Sequence, residues 1–378
     1  MKFEIMRNRL LDGIGDVMKA ISQKVATPIL TGIKIEVTEN GITMTGSDSD
    51  ITICTFIPAE EDGEQIIRVI EKGSIVMQAK MFSEIVRKLP TNDVTIEVVN
   101  GLQVHIRSGK SEFHLIGSDA EDYPILPEMR DEYRFAFPAD LMKSIIRETV
   151  FAVSQHETRP ILTGVHWLSK DGNLECVATD SHRLARRITS PEGLSDVPFS
   201  VVIPGKSLQE LSKILPDNAE LVDIVIADHQ VLFKTRNVLF YSRLLEGNYP
   251  DTSRLIPSEY QTSVKVNGKL LLQAIDRASL LAREERNNIV RFVADEGKAI
   301  EVSSNSPEVG KVEELIEALD VSGEDLKISF SAKYMMDALK AIDGQDVVLH
   351  FTGAMRPFIL KSVDDDSILQ LILPVRTY

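Results

Sequence analysis

The chain repeats parts of its own sequence at wide and regular intervals. The pentapeptide PILTG stands at Pro28–Gly32 and again at Pro160–Gly164. A short polar stretch follows each copy, GSDSD at Gly46–Asp50 and ATDSH at Ala178–His182, and a weaker third copy, SSNSP, stands at Ser303–Pro307. Repetition at such a spacing indicates tandem copies of one structural unit, so it limits the folds that the chain can adopt.

A helical segment in the second half of each copy shows the closest agreement. AKMFSEIVRKLP (79–90), GKSLQELSKILP (205–216) and AKYMMDALKAID (332–343) align without gaps. Their apolar residues recur at i, i+3 and i+7, which is one face of a helix, and an earlier amphipathic helix precedes each. Alternating stretches such as VTIEV and QVLFKT predict antiparallel strands after these helices.

The sequence therefore predicts an α+β fold made of three tandem units of about 126 residues in a chain of 378. Each unit is expected to contain two helices and two sets of antiparallel strands. The predicted domains are residues 1–128, 129–253 and 254–378.

PILTG is interpreted as structural rather than as a binding motif used twice. Proline ends a preceding helix and tolerates the first position of a strand, so the pentapeptide is expected to begin a strand. The polar stretch is interpreted as a turn that recurs in all three copies. Asp180, Ser181 and His182 are a poor catalytic triad, because triad side chains converge from positions distant in sequence.

Composition argues against several classes of protein. Only two cysteines, Cys54 and Cys176, are present, so a disulfide framework is not expected and a reducing cytoplasm fits. The seven histidines are scattered, and no phosphate-binding loop or helical metal motif occurs. No apolar run approaches the ~20 residues of a membrane span. We expect a cytoplasmic, non-catalytic protein without a metal or cofactor.

The basic residues favour the helices. The net charge is −15, but the six predicted helical stretches together carry +6, which leaves −21 on the rest of the chain. Any single basic residue is more simply a solvated helix face. Together they indicate a positively lined groove or channel for a polyanion, on a protein whose acidic exterior discourages non-specific binding.

The chain resembles the bacterial replicative sliding clamps, the β subunit of DNA polymerase III, over essentially its whole length. The resemblance is carried by the triplication and by PILTG, TDSHRLA, NYPD and the C-terminal LILPVRTY. It implies three DNA-clamp domains per chain and a homodimer that closes head to tail into a ring. Helices would line the hole around duplex DNA, without sequence preference. The implied function is processivity, because the ring tethers a replicative polymerase.

The resemblance also implies a hydrophobic pocket between the second and third domains. It would take a short Gln/Leu/Phe peptide from polymerases, the clamp loader and repair proteins. Carried over residue by residue, the pocket comprises Leu162, Thr179, Ser181, His182, Arg183, Leu184, Pro250, Arg254, Leu255, Leu371, Leu373, Pro374, Val375 and Arg376. Some family members have methionines where this chain has Leu373 and Val375.

Two further sets of residues follow from the resemblance and the charge pattern. The expected DNA-facing residues are Lys24, Arg159, Arg7, Lys19, Arg87, Lys88, Arg147, Lys206, Arg277 and Arg283. The expected dimer interface places Phe113 near Leu280 and Leu281, with ordinary core packing as the alternative for the two leucines. The rival functions are a triplicated protein-binding scaffold that does not thread DNA and, less favoured, a hydrolase.

Overall fold

The two helices predicted for each repeat are present in a computed structural model of the chain. The structure describes residues 1–22, 26–126, 129, 133–191, 194, 198–282, 288–295, 299–343 and 346–376. Within them the α-helices are α1 (Arg7–Val17), α2 (Ala79–Lys88), α3 (Ala139–Thr149), α4 (Gly205–Ser212), α5 (Gly268–Ala282) and α6 (Ala332–Ala341). The predicted apolar stripes are buried, so the helical periodicity is confirmed.

The helix ends have local causes. Gln78 and Ser331 accept backbone N–H bonds from the first turns of α2 and α6, and each thereby caps its helix. Leu89 is extended, as expected for a residue that precedes proline, and α2 ends there.

Strands make up most of the remaining structure. They are β1 (Lys2–Met6), β2 (Gly32–Thr38), β3 (Gly41–Ser47), β4 (Ile51–Pro58), β5 (Glu60–Glu61), β6 (Glu64–Gln65), β7 (Ile67–Glu71), β8 (Gly73–Gln78), β9 (Asp93–Val99), β10 (Gln103–Ser108), β11 (Ser111–Ile116), β12 (Tyr133–Pro138), β13 (Gly164–Lys170), β14 (Asn173–Thr179), β15 (Arg183–Thr189), β16 (Phe199–Pro204), β17 (Leu221–Ala227), β18 (Gln230–Lys234), β19 (Val238–Arg243), β20 (Thr262–Asn267), β21 (Ile289–Ala294), β22 (Ala299–Ser306), β23 (Gly310–Glu317), β24 (Asp320–Gly323), β25 (Leu326–Ser331), β26 (Asp346–Phe351), β27 (Phe358–Ser362) and β28 (Ile368–Ile372).

The chain packs as two compact units. Unit 1 comprises Met1–Asp140 and Glu210–Leu244, and unit 2 comprises Leu141–Gln209 and Leu245–Tyr378. The division falls inside the second repeat, because its two sets of strands pair with different neighbours. The three domain boundaries predicted from the repeat stay a prediction, and residue 128 lies outside the described residues.

In each unit, the larger sheet forms by pairing between successive repeats. Unit 1 contains a sheet ordered β12-β17-β18-β19-β4-β3-β2-β8 and a second ordered β11-β10-β9-β1-β7. Unit 2 contains a sheet ordered β16-β13-β14-β15-β28-β27-β26-β20-β24 and a second ordered β23-β22-β21-β25. The β4–β19 and β15–β28 pairs join one repeat to the next, both antiparallel. Each junction is therefore a continuous sheet.

The prediction that PILTG begins a strand is wrong for its first four residues. Pro28–Thr31 and Pro160–Thr163 each form a 3-10 turn, and the strand starts at the following glycine. The threonine closes each turn, since the hydroxyls of Thr31 and Thr163 donate to the carbonyls of the prolines at 2.8 and 2.7 Å. Proline suits the first position of such a turn because its missing N–H has no partner there.

The polar turn recurs in two copies rather than three. Ser49 and Ser181 have φ values of 79° and 75°, and the preceding aspartate accepts two backbone N–H bonds in each copy. In the third copy, β22 continues as a strand through Asn305, and Ser306 pairs with Gly310. The turn there comes later, so the predicted third copy of this feature is wrong.

The buried residue Glu148 joins the second repeat to the third within unit 2, through its backbone carbonyl. The Glu148 side chain is 4% exposed, and its Oε2 lies 3.5 Å from Nε of Arg187 on β15. The side-chain amide of Gln370 on β28 donates to the Glu148 carbonyl at 3.2 Å. Burial raises the pKa of Glu148 to about 7, although the Arg187 and Arg147 charges oppose the shift.

We expect Glu148→Gln to flatten the pH dependence of stability. In the native protein, Glu148 keeps its proton up to about pH 7. In the unfolded chain it loses this proton near its ordinary pKa of 4.5. The wild-type free energy of unfolding should therefore fall as pH rises through this window, by on the order of 2 to 3 kcal/mol more than that of the variant. Urea unfolding at about pH 5 and about pH 8 measures this difference. Equal slopes for both proteins would contradict the prediction.

Candidate functional site

An apolar cluster lies where β15 pairs with β28 in unit 2. Leu184 pairs directly with Leu371, and both are buried. Val177, Ile359 and Leu369 complete the buried part, and Tyr249, Ile256 and Leu373 pack against it while remaining partly exposed. The cluster thus has a buried base and a partly exposed side, as a binding site for an apolar side chain does.

A turn and two chain segments frame this cluster. The Thr179 hydroxyl donates to the carbonyl of Arg183 at 2.7 Å and accepts the N–H of Ser181 at 3.2 Å, which closes the turn. The N–H of Thr179 donates to the Tyr249 hydroxyl at 3.0 Å. The N–H of Leu373 donates to the carbonyl of His182 at 3.0 Å. The C-terminal segment and the segment around Tyr249 are both fastened to the same turn.

Arg183, one of the predicted pocket residues, has its charge paired within unit 2. It is 7% exposed, and its guanidinium contacts the carboxylates of Asp180 at 3.1 Å and Asp337 at 2.7 Å. It also donates to the carbonyl of Phe151 at 2.6 Å and lies 4.5 Å from the ring centre of Tyr334. Its charge is fully engaged inside unit 2, so Arg183 holds the turn in place instead of presenting a cation to a ligand.

The contacts of Asp180, Ser181 and His182 do not fit acyl-transfer chemistry. The Asp180 carboxylate accepts the backbone N–H groups of His182 and Arg183, at 3.0 and 3.1 Å, and pairs with the Arg183 side chain. The His182 ring stacks on Tyr334 at 6.5 Å between ring centres. A triad needs the aspartate to orient the histidine ring, whereas this aspartate orders the backbone of its own turn.

The remaining predicted pocket residues lie on less buried segments or apart from the cluster. Pro250, Arg254 and Leu255 are exposed, and the Arg254 side chain is 90% exposed. Pro374 and Val375 are half-buried and Arg376 is exposed, beyond the end of β28. Leu162 is buried in its own 3-10 turn, and its contact with the cluster stays a prediction.

The first copy of the turn borders a comparable cavity in unit 1. This cavity of about 280 Å³ lies where β4 pairs with β19, and its lining includes Leu30, Thr52, Tyr241 and Arg243. Strand register makes Thr52 and Tyr241 the counterparts of Leu184 and Leu371, and Arg243 the counterpart of Leu373. Two of the three apolar side chains are thus replaced, by a hydroxyl and a cation. The two copies share a backbone and differ in chemistry.

Sequence reasoning missed several residues of this site. Tyr249, Ile256 and Ile359 belong to the apolar cluster, and Phe151 and Asp337 hold Arg183. Tyr249 has a sequence signal, since it directly precedes the predicted Pro250. Asp337 has none, because its ion pair with Arg183 joins residues far apart in the chain.

Ion pairs neutralise some of the predicted DNA-facing residues. Lys19 pairs with Asp16 at 3.1 Å, Arg147 with Asp343 at 3.4 Å, and Arg277 with both oxygens of Glu314. Arg7 is half-buried and donates to the carbonyl of Leu89, which ends α2. These side chains have structural partners, so they are less available to a ligand than the sequence suggested.

Other basic residues keep their charge exposed. Arg87, Lys88 and Arg159 are exposed and, within the described part of the chain, make no ion pair. Lys206 is also exposed. Lys24 and Arg283 lie outside the described residues. Arg87, Lys88 and Arg159 therefore carry the strongest remaining case for contact with a polyanion.

The predicted interface residues lie near exposed apolar surface. Phe113 is half-buried on β11, which is an edge strand of its sheet. Leu280 is 59% exposed on α5, and Leu281 is half-buried. The exposure of Leu280 disagrees with ordinary core packing, the alternative for this pair.

No helix in the described ranges is both long and apolar enough to span a bilayer.

Models of three domains of the DNA polymerase III beta subunit match the chain: the N-terminal domain at residues 1–127, the central domain at 136–251 and the C-terminal domain at 253–376. The beta sliding clamp of Bacillus subtilis (strain 168) is 57% identical over 378 residues, which is 100% of both chains.

Solved structures give the same result. A DNA polymerase sliding clamp from Bacillus subtilis superposes with a TM-score of 0.97 at 57% identity, and the match covers 100% of each chain. A DnaN sliding clamp (DNA polymerase III subunit beta) from Pseudomonas aeruginosa, bound to griselimycin, superposes with a TM-score of 0.92 at 25% identity, again over 100% of each chain.

Replacing Arg183 by alanine should destabilise unit 2 strongly. The change leaves Asp180 and Asp337 without their buried cation, and losing one partner of such a pair costs about 3 to 5 kcal/mol. Urea unfolding followed by circular dichroism measures the loss. Arg254→Ala, at a 90% exposed side chain that also faces Asp251, is the matched control and should change stability by less than about 0.5 kcal/mol. Similar effects for both variants would rule out the proposed role of Arg183.

Proposed function

This chain belongs to the DNA polymerase III β subunit family, and we propose on that premise that it encircles duplex DNA and binds partner peptides at the β15–β28 cluster. It is a sliding clamp, a non-catalytic processivity subunit of a DNA polymerase. The observation that carries the peptide proposal is the apolar cluster around Leu184, Leu371 and Leu373. We infer that it works in the cytoplasm, where the polymerase and DNA are found.

The proposed ligand is a short segment with leucine and phenylalanine anchors. Leu373 and Tyr249 are only partly buried against the cluster, so an incoming apolar side chain gains contact area without displacing the buried floor. The exposed polar groups of Ser181 and His182 lie on the turn beside it and suit the amide of a glutamine in the same peptide. The polymerase, the clamp loader and repair proteins are the proposed sources of such segments.

The difference between the two copies supports one peptide site per chain. In the first copy, Thr52 and Arg243 stand where the second has Leu184 and Leu373. An apolar anchor placed there would remove the exposed Arg243 cation from water without giving it a partner, which is unfavourable. We therefore assign the peptide to the β15–β28 cluster alone.

We propose that two copies join through β11 of one chain and β23 of the other. At both junctions inside the chain, the last strand of one repeat's first set pairs with the last strand of the next repeat's second set. Applied to the third repeat, this rule pairs its β23 with the β11 of the first repeat in a second chain. Both strands are edge strands of their own sheets. Leu315 on β23 and Ile116 on β11 are 74% and 82% exposed, which suits strands that await a partner. Phe113, Leu280 and Leu281 are the proposed side-chain contacts of this interface.

Head-to-tail contacts of this kind close into a ring when the rotation per repeat fits, and a ring stays on DNA without gripping it. Arg87, Lys88 and Arg159 are the proposed contacts to phosphates, since their charges are exposed and unpaired in the described chain. Few, sequence-blind phosphate contacts permit sliding.

A labelled peptide containing Gln-Leu-x-Leu-Phe should bind with one peptide per chain. Leu373→Ala removes part of the open side of the cluster and should weaken binding about tenfold or more. Ile125→Ala, at a 95% exposed residue that lines the first-copy cavity, is the matched control and should leave the affinity unchanged. Fluorescence anisotropy measures both. Two peptides per chain, or equal loss in the two variants, would refute the assignment.

DNA threading should depend on ring closure. After loading by clamp loader and ATP, the wild-type protein should be retained on nicked circular DNA and released when the circle is linearised. Leu315→Asp places a charge on the proposed junction and should shift the protein towards monomer in sedimentation, with loss of retention. Equal retention on circular and linear DNA would support the rival, a protein-binding scaffold that does not thread DNA.

A further inference from the structure

We propose that His105, Glu112 and His114 form a binding site for one Zn²⁺ ion on the β10–β11 hairpin of unit 1. The proposal rests on residues of a single hairpin, so it does not depend on the peptide site or on DNA threading. It also departs from the sequence-based expectation of a protein without a metal.

The hairpin places these three side chains together. His105 on β10 pairs directly with His114 on β11, and Arg107 pairs with Glu112. Side chains two residues apart on a strand share a face of the sheet, so Arg107 and the three candidate ligands project from the same face. The two histidine rings meet edge to face with their centres 4.2 Å apart. In the sequence they are separated by nine positions, which is not a metal-ligand spacing until the hairpin folds.

The distances are close to those of a bound ion. Nδ1 of His105 and Nε2 of His114 lie 3.8 and 3.7 Å from the same oxygen of Glu112, and the three candidate ligand atoms are all within 4.8 Å of one another. In a tetrahedral zinc site with bonds near 2.1 Å, ligand atoms stand about 3.4 Å apart. Small side-chain rotations bring the three atoms to that spacing. Two imidazoles and one carboxylate are a ligand set that suits Zn²⁺.

Arg107 is both a competitor and a support. Its Nε donates to the Glu112 oxygen nearest the histidines at 2.8 Å, and its Nη1 lies 3.5 Å from Glu97. The oxygen that accepts from Arg107 is the one nearest the histidines, so Glu112 either shares this oxygen between Arg107 and the ion or turns its second oxygen to the ion. Such a hydrogen bond would then orient the ligand.

The other repeats show that the fold does not require histidines here. The same cross-strand pair is Leu232 with Tyr241 in the second repeat and Ile359 with Leu371 in the third. Both pairs belong to apolar clusters. The first repeat alone replaces this apolar pair by two imidazoles. A structural requirement for the hairpin would be met by aliphatic residues, so the imidazole pair needs another explanation, and metal binding supplies one.

The test uses the full chain after a chelator has removed any bound metal. Calorimetry follows its titration with Zn²⁺, and visible absorption follows its titration with Co²⁺. We expect one ion per chain and a tetrahedral Co²⁺ spectrum. His105→Gln combined with His114→Gln should lower the affinity by about a hundredfold or abolish binding, and Glu112→Gln should lower it by about tenfold. In histidine NMR spectra, the rings of His105 and His114 should respond first to substoichiometric Zn²⁺.

His156→Gln is the matched control, since it removes an exposed histidine that belongs to no such group among the described residues. It should bind as the wild type does. All variants should melt at the wild-type temperature in chelator, because Glu112 and His114 are exposed, His105 is half-buried and none of the three lies in the core. No ion uptake, or uptake that the double histidine variant retains, would overturn the proposal.

Discussion

Strand pairing between successive repeats is the interaction on which the rest of the structure depends. Each repeat ends one set of strands with unsatisfied backbone groups, and an exposed sheet edge invites pairing with whatever strand is available. Inside the chain the next repeat supplies that strand, β19 for β4 and β28 for β15. The proposed peptide site and its first-copy counterpart both lie at these junctions. Within the described residues, β11 and β23 are edge strands with no partner from another repeat. The proposed ring follows, because a second chain can supply the partner strand.

Repetition of a backbone does not repeat its chemistry. The turns that contain Asp48 and Asp180 have the same hydrogen bonds, yet one is followed by Ile51 and the other by Arg183. The guanidinium of Arg183 reaches Asp337 and thereby fastens the turn of the second repeat to a helix of the third. A hydrocarbon at that position cannot make such a link. The second-copy turn is therefore held in place by charge, beside a cluster of leucines that offers the apolar contact.

The same difference in side chains between repeats underlies the two binding sites proposed for this chain. At a single cross-strand position the three repeats carry His105 with His114, Leu232 with Tyr241, and Ile359 with Leu371. In the third repeat this position is part of the proposed peptide site. In the first it is the proposed zinc site. A duplicated fold supplies equivalent positions, and substitution at each position then sets which ligand can bind there.

The sequence by itself determined the repeat, the six helices and their buried faces, because periodicity of 3.6 is a local property and survives any arrangement of the units. It also indicated the family, and with it Leu184, Leu371 and Leu373 among the residues of the β15–β28 cluster. Only the tertiary structure decided how the charges are used. Arg183, Arg147 and Arg277 read alike as cations in the sequence, yet each pairs with a carboxylate that folding brings to it. The pairing of His105 with His114, and the 3-10 turns at PILT, likewise depend on strand register and on hydrogen bonds that form only in the folded chain.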